Sequence, residues 1–143
     1  MNAQTAGETD LQRLLAGLAP ELAEQPRAIR SLATDMPTPA DAIMAFRETE
    51  GTTVIVPTTI SPTTIVPTTE DEQAESLWAQ ITLRIHSSLE AVGMMAAIAA
   101  ALSARNIPCN AVSAYYHDHL FVPWARRDDA CLALRELANG ITA

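Results

Sequence analysis

The sequence predicts an α+β fold of the ferredoxin-like βαββαβ type, an antiparallel sheet carrying helices on one face, with the N-terminal half supplying an additional strand and helices. Three observations carry this expectation. An alternating run from Ile81 to His86 (Ile81, Leu83 and Ile85 apolar; Thr82, Arg84 and His86 polar) stops at Ser87-Ser88, where an alanine-rich helix begins. Two further alternating runs, Cys109 to Tyr116 and His119 to Trp124, are separated by little more than His117-Asp118. A helical pattern then runs from Arg127 to Asn139, with Ala130, Leu132 to Leu134, Leu137 and Ala138 apolar and Asn139-Gly140 as its terminator. Three residues remain after Gly140, so the last strand of the fold has to come from earlier in the chain, and Thr52 to Val56 is the best donor.

At 143 residues and 48% hydrophobic content the chain is long enough to build one core, or two small halves sharing one. All nine basic residues are arginine, and a net charge of −8 argues against a nucleic-acid or anionic-membrane surface. The first ten residues are polar and acidic, without the basic and then apolar order of a signal peptide, so a cytoplasmic protein is expected. Ala91 to Ala104 falls short of the roughly 20 residues that a membrane span needs. Two cysteines, Cys109 and Cys131, are too few for a disulfide scaffold and read as free, buried thiols.

Residues 1–10 lack periodicity and are expected to be disordered or tag-like. Behind Asp10 as N-cap, Leu11, Leu14, Leu15 and Leu18 fall at helical spacing, stopped by Gly17 and Pro20. Arg27 to Ala33 reads as a short strand. Thr38-Pro39 opens a second helix carrying Ala42, Ile43, Ala45 and Phe46, with Gly51 as a left-handed cap. A degenerate Thr/Pro repeat follows, with Pro57, Pro62 and Pro67; each proline removes a ladder donor, so only Thr52 to Val56 extends as a strand and 57–69 is an insertion. Glu70 to Glu75 is an acidic connector. The expected division is a half from 11 to 76 and a second from 77 to 139.

The helix expected from about Leu89 carries Leu89, Val92, Ala96, Ala99 and Leu102 in one stripe, with Ser87 or Ser88 capping its first N–H groups and Glu90 complementing the dipole. Gly93 costs of order 1 kcal/mol inside a helix, which implies that something packs close to the backbone there.

The block from Ile81 to Gly93, together with Asn106-Ile-Pro-Cys-Asn110 and Tyr116-His-Asp-His-Leu-Phe-Val-Pro123, resembles a bacterial family of small ACT-domain proteins, and Glu48-Thr-Glu-Gly51 before a strand resembles that family's N-terminal half. The resemblance runs from Leu11 to Leu137, and the Thr/Pro expansion after Val56 departs from it. It implies two ACT-like halves forming a non-catalytic regulatory module. Such a module binds a small ligand, typically an amino acid, at the loop between first strand and first helix, often across an interface between paired modules. The implied ligand residues are His86, Ser87, Ser88, Leu89, Glu90, Val92, Gly93 and Asn110, with no cofactor and with a homodimer as the assembly. The residues agree in part: serine hydroxyls and helix-start N–H groups suit a carboxylate, and an open sheet edge invites a second copy.

His86, His117 and His119 form a weaker alternative, a zinc site with an open position, if the His117-Asp118-His119 triplet is extended. A turn at that triplet opposes it, as does the lack of any CxxC or HExxH spacing. Ser87 or Cys109 beside His86 lacks a third orienting group, so no catalytic residue is assigned. Arg84 shares a strand face with His86 and suits either a ligand carboxylate or a surface salt bridge. Tyr115, Tyr116 and Trp124 read as core or interface aromatics. An interaction subunit with no ligand of its own is the remaining reading.

Overall fold

The computed structural model describes residues 6–60 and 75–142. In chain order the elements are helix α1 (Leu11–Ala16) and strands β1 (Pro20–Leu22), β2 (Arg27–Leu32), β3 (Met44–Arg47), β4 (Thr52–Pro57) and β5 (Trp78–Leu83). Helix α2 (Met94–Ser103), strands β6 (Asn110–Ser113) and β7 (Asp118–Pro123), a 3-10 turn (Trp124–Arg126) and helix α3 (Arg127–Thr142) complete it. They form two compact units, residues 1–23 with 79–143, and residues 24–78.

The first unit is the ferredoxin-like one. Its strands lie in the order β1-β5-β7-β6, which, counted from β5, is 4-1-3-2. β6 and β7 pair as an antiparallel hairpin, Asn110 opposite Phe121 and Ser113 opposite Asp118. Period-2 alternation sends Ala79, Ile81 and Leu83 of β5, and Leu120 and Val122 of β7, into one core. Leu14, Leu15 and Leu18, the α2 residues Met94, Ile98 and Leu102, and Ala130, Cys131, Ala133, Leu134 and Ala138 of α3 fill it from the helices. Each Leu, Ile, Val or Met among these buried side chains contributes about 1.5–3 kcal/mol.

The fourth strand of this unit is β1 and not Thr52–Val56. Pro20 lies opposite Leu83 and Leu22 opposite Ile81, antiparallel. Thr52–Pro57 is already paired on both sides, by β2 and by β3, so it has no edge to lend. A three-residue strand opening on proline is too short to show alternation, which is why the pattern missed it.

The N-terminal segment also departs from expectation. Residues 1–5 lie outside the described residues, but residues 6–10 are ordered against the first unit. The Glu8 N–H donates to His86 O at 2.8 Å and the Ser88 N–H to Glu8 O at 2.9 Å. A Cβ on Gly7 would lie 2.5 Å from Ser87 C and Ser88 N, so only glycine permits this approach. Asp10 caps α1 as expected, its carboxylate accepting from the Arg13 N–H at 2.9 Å. Because residues 6–23 fold into the first unit, the division falls at 23/24 and 78/79 rather than at 76/77.

The second unit, residues 24–78, orders its strands β3-β4-β2, and Arg27 pairs with Trp78. Ala28, Val54 and Val56 form its small core, with Leu32 and Ala42 against it. The helix expected from Thr38 is absent. Met44 to Arg47 pair with Ile55 to Thr52 as strand β3, because hydrogen bonding to an available neighbour overrides a weak helical spacing. The Thr/Pro repeat beyond Ile60, and with it most of the expected insertion 57–69, lies outside the described residues. Glu75, at the end of the acidic connector, makes a two-point ion pair with Arg30 (2.5 and 2.9 Å), which holds its carboxyl below the usual range.

Candidate functional site

The junction after β5 is built differently from a simple strand-to-helix turn. The Arg84 N–H donates to Leu18 O at 3.0 Å, and the chain then leaves the sheet for a ten-residue loop, 84–93. The helix begins at Met94, five residues later than the sequence suggested. Ser88 explains the delay. Its hydroxyl accepts from the Glu90 N–H at 3.2 Å and its carbonyl from the Ala91 N–H at 3.0 Å, which closes a separate turn. Leu89 and Val92 are therefore loop residues, 67% and 82% exposed, and the buried stripe of α2 is Met94, Ile98 and Leu102.

Gly93 is the N-cap of α2. It sits in the left-handed region (φ 98°, ψ −18°), and a Cβ there would meet Leu11 at 3.3 Å. A glycine N-cap has no side chain to offer the first-turn N–H groups, so the cap expected from Ser87 or Ser88 is not made at this position. Ser87 is engaged elsewhere: its hydroxyl donates to Asp118 Oδ2 at 2.9 Å. The other carboxylate oxygen, Oδ1, accepts from the Ser113 hydroxyl at 2.6 Å. Asp118 is 5% exposed.

These groups enclose a cleft of about 140 Å3, lined by Ser87, Ser88 and Leu89 from the loop, Gly93 to Ala96 at the start of α2, and Ser113 and Asp118 from the hairpin. A second cleft, about 250 Å3, shares Ser87, Ser88 and Leu89 with the first and is lined also by Gly7, His86 and Tyr115. Of the residues implied at the sequence level, Ser87, Ser88, Leu89 and Gly93 line the first cleft and His86 the second. Glu90, Val92 and Asn110 line neither; Asn110 lies on β6 opposite Phe121. Asp118, Ser113, Met94 and Met95 were missed. Asp118 had a signal: stepping back by two along the inward residues Val122 and Leu120 reaches it.

The hairpin turn is at Ala114 to His117, closed by the Ala114 N–H to His117 O at 3.1 Å, so of the triplet expected at the turn only His117 lies there, and β7 begins at Asp118, one residue before the run expected from His119. His119 Nδ1 lies 3.0 Å from Thr82 Oγ1 and 3.3 Å from Gln80 Nε2. Burial holds its pKa below the ordinary 6.5, assisted by His117 and Arg84 and opposed by Asp118. The His117 and His119 rings are 6.4 Å apart, and His86 stacks at a tilt on Tyr116 at 5.4 Å. Among the described residues no three His, Cys, Asp or Glu side chains come together in a way that would hold a metal ion. Arg84 pairs with Glu21 at 3.6 Å on the surface, away from the cleft. Burial pushes the Cys109 and Cys131 thiols up, and both cysteines are free. No helix among the described residues is long and apolar enough to cross a membrane.

The sequence matches the ACT domain twice, over residues 6–60 and 74–136. No curated protein matches it. Among solved structures it is similar to a Vibrio cholerae protein of unknown function, named a possible transport protein. That likeness has 32% identity and a TM-score of 0.66, and covers 87% of this chain and 92% of the other. A protein of Agrobacterium tumefaciens, Atu0741, shares the fold at 16% identity with a TM-score of 0.60, covering 83% of this chain and 87% of its own. With two ACT matches spanning most of its length and a relative at 32% identity over 87% of it, the chain belongs to the ACT-domain family, whose modules are in general regulatory and bind small ligands.

Proposed function

We propose that this is a non-catalytic regulatory protein that binds an amino acid in the cleft between Ser87 and the start of α2, and that acts through self-association. One observation carries the reading: the N-terminus of α2, whose N-cap glycine makes no side-chain hydrogen bond to it, lines the cleft of about 140 Å3. Its N–H groups and the positive end of the helix dipole suit a carboxylate, and the Ser88 backbone and hydroxyl shape the approach. Family membership supports an amino acid as the carboxylate carrier, since ACT domains bind such ligands. The second cleft, sharing Ser87, Ser88 and Leu89, gives a side chain somewhere to extend.

Self-association is supported by β6, which pairs only with β7 among the described strands and carries no proline or charge to protect its free edge. A second copy adding there would continue the sheet. The free cysteines fit a reducing compartment, and a cytoplasmic location belongs to this proposal.

The test is a thermal-shift screen of the twenty amino acids at millimolar concentration. At least one is expected to raise Tm, because a ligand at 100 times its Kd stabilises by about 2.7 kcal/mol. A flat response from all twenty removes the reading.

A further inference from the structure

We propose that the cleft of about 250 Å3 walled by the rings of His86 and Tyr115 is a binding site for a small organic cation of the alkylated ammonium class. The proposal does not depend on an amino acid occupying the first cleft. The chain has two tyrosines and three histidines, and all five rings form one continuous array. Tyr116 is its centre, with its ring centroid 4.9 Å from that of Tyr115, 5.4 Å from His86 and 6.5 Å from His117. His117 in turn lies 6.4 Å from His119. Both tyrosines are half exposed, so the array is a surface feature and not part of the core. Tyr116 touches both wall rings and holds them in place. A Cβ on Gly7 would lie 2.5 Å from Ser87 C, so bare backbone closes that side of the cleft.

The lining decides which charge the cleft accepts. Among the described residues no Arg, Asp or Glu lines it. An anion finds no basic partner there, in a chain of net charge −8 without a lysine. A metal ion finds no carboxylate to replace its water. A tyrosine face works differently, because its quadrupole attracts a cation lying within about 6 Å of the ring centroid. Alkylated ammonium ions carry their charge beneath an apolar surface and give up little hydration to enter such a cleft. The field around it has the matching sign. Residues 6–10 and the loop 84–93 carry Glu8, Asp10 and Glu90 against one arginine, Arg84, which pairs with Glu21 at 3.6 Å. Glu8 itself has only a long pairing with Arg13, at 3.9 Å.

Titration of the full chain followed by NMR, at about pH 8 and so above the ordinary imidazole range, tests this. The probes are choline and its neutral isostere, in which a tert-butyl group replaces the trimethylammonium. Choline is expected to shift the ring signals of Tyr115 saturably, with an affinity about 2- to 5-fold above that of the isostere, the range of an exposed cation–π contact. Equal affinities mean a purely apolar cleft and overturn the proposal. A choline response no greater than that of sodium chloride at the same concentration also overturns it. Tyr115→Leu keeps the apolar bulk and is expected to remove the preference for choline, with thermal unfolding checking that the variant is folded. Tyr116→Leu is expected to reduce the preference, because both wall rings lose their support. A preference that survives Tyr115→Leu overturns the assignment. Choline has no carboxylate, so failure here leaves the amino-acid reading standing, and a flat amino-acid screen leaves this one standing.

Discussion

The Ser87 hydroxyl donates to Asp118 at 2.9 Å, and this one hydrogen bond ties the loop after β5 to a hairpin 31 residues further along the chain. Both residues are buried, so Ser87→Ala leaves Asp118 Oδ2 short of a donor. We expect a loss of about 1–3 kcal/mol in urea denaturation. Ser113→Ala, which removes the partner of Oδ1, is expected to cost a similar amount, and the two together less than the sum, because they share one carboxylate.

Gly93→Val should damage stability and binding by one mechanism. The backbone there has φ 98°, where a β-branched residue is strained by about 1–3 kcal/mol, and the new Cβ meets Leu11 at 3.3 Å. The loop and the start of α2 must then shift, so the amino-acid thermal shift should vanish while circular dichroism still shows a folded protein.

At Gly7 the constraint is space. A Cβ would lie 2.5 Å from the backbone of Ser87 and Ser88, so Gly7→Ala should detach the N-terminal segment from the loop. The expected signature is faster amide exchange at Glu8 and Ser88, whose N–H groups donate across that contact, with unchanged protection in α3.

His119 gives a pH dependence whose sign follows from burial. Its folded pKa lies below the ordinary 6.5, so the unfolded chain binds the proton more readily. The stability linked to His119 is complete above about pH 6.5 and is lost as pH falls through the unfolded value toward the folded one. His119→Gln, which can keep a polar contact with Thr82, should flatten that part of the stability curve measured between pH 5 and 8.

If the free edge of β6 carries self-association, Ala111→Lys should abolish it. Ala111 is exposed on that strand, and a lysine on an edge opposes strand addition. Sedimentation velocity should show dimer for the wild type and monomer for the variant; a wild type that stays monomeric at high concentration removes the self-association reading.

The strands with clean alternation were legible in the sequence. Ile81 and Leu83 point inward and Thr82 outward as period 2 requires, and Thr52 to Val56 is a strand that stops at Pro57. Helix α1 with its Asp10 cap was legible for the same local reason. The end of α3 was not: it runs through Asn139-Gly140 to Thr142, since a Gly inside a helix costs only about 1 kcal/mol and the packed face upstream outweighs it.

What the sequence determined by itself was therefore the fold class and the family resemblance. Local periodicity and capping residues act over a few positions and can be read without the rest of the chain. The tertiary structure decided which strand completes the sheet, how residues 6–10 lie on the loop, and that Ser87 serves Asp118 rather than α2. Each of these is a pairing between positions far apart in the chain, decided by which hydrogen-bonding edge or buried group is left unmatched, and no local pattern records that.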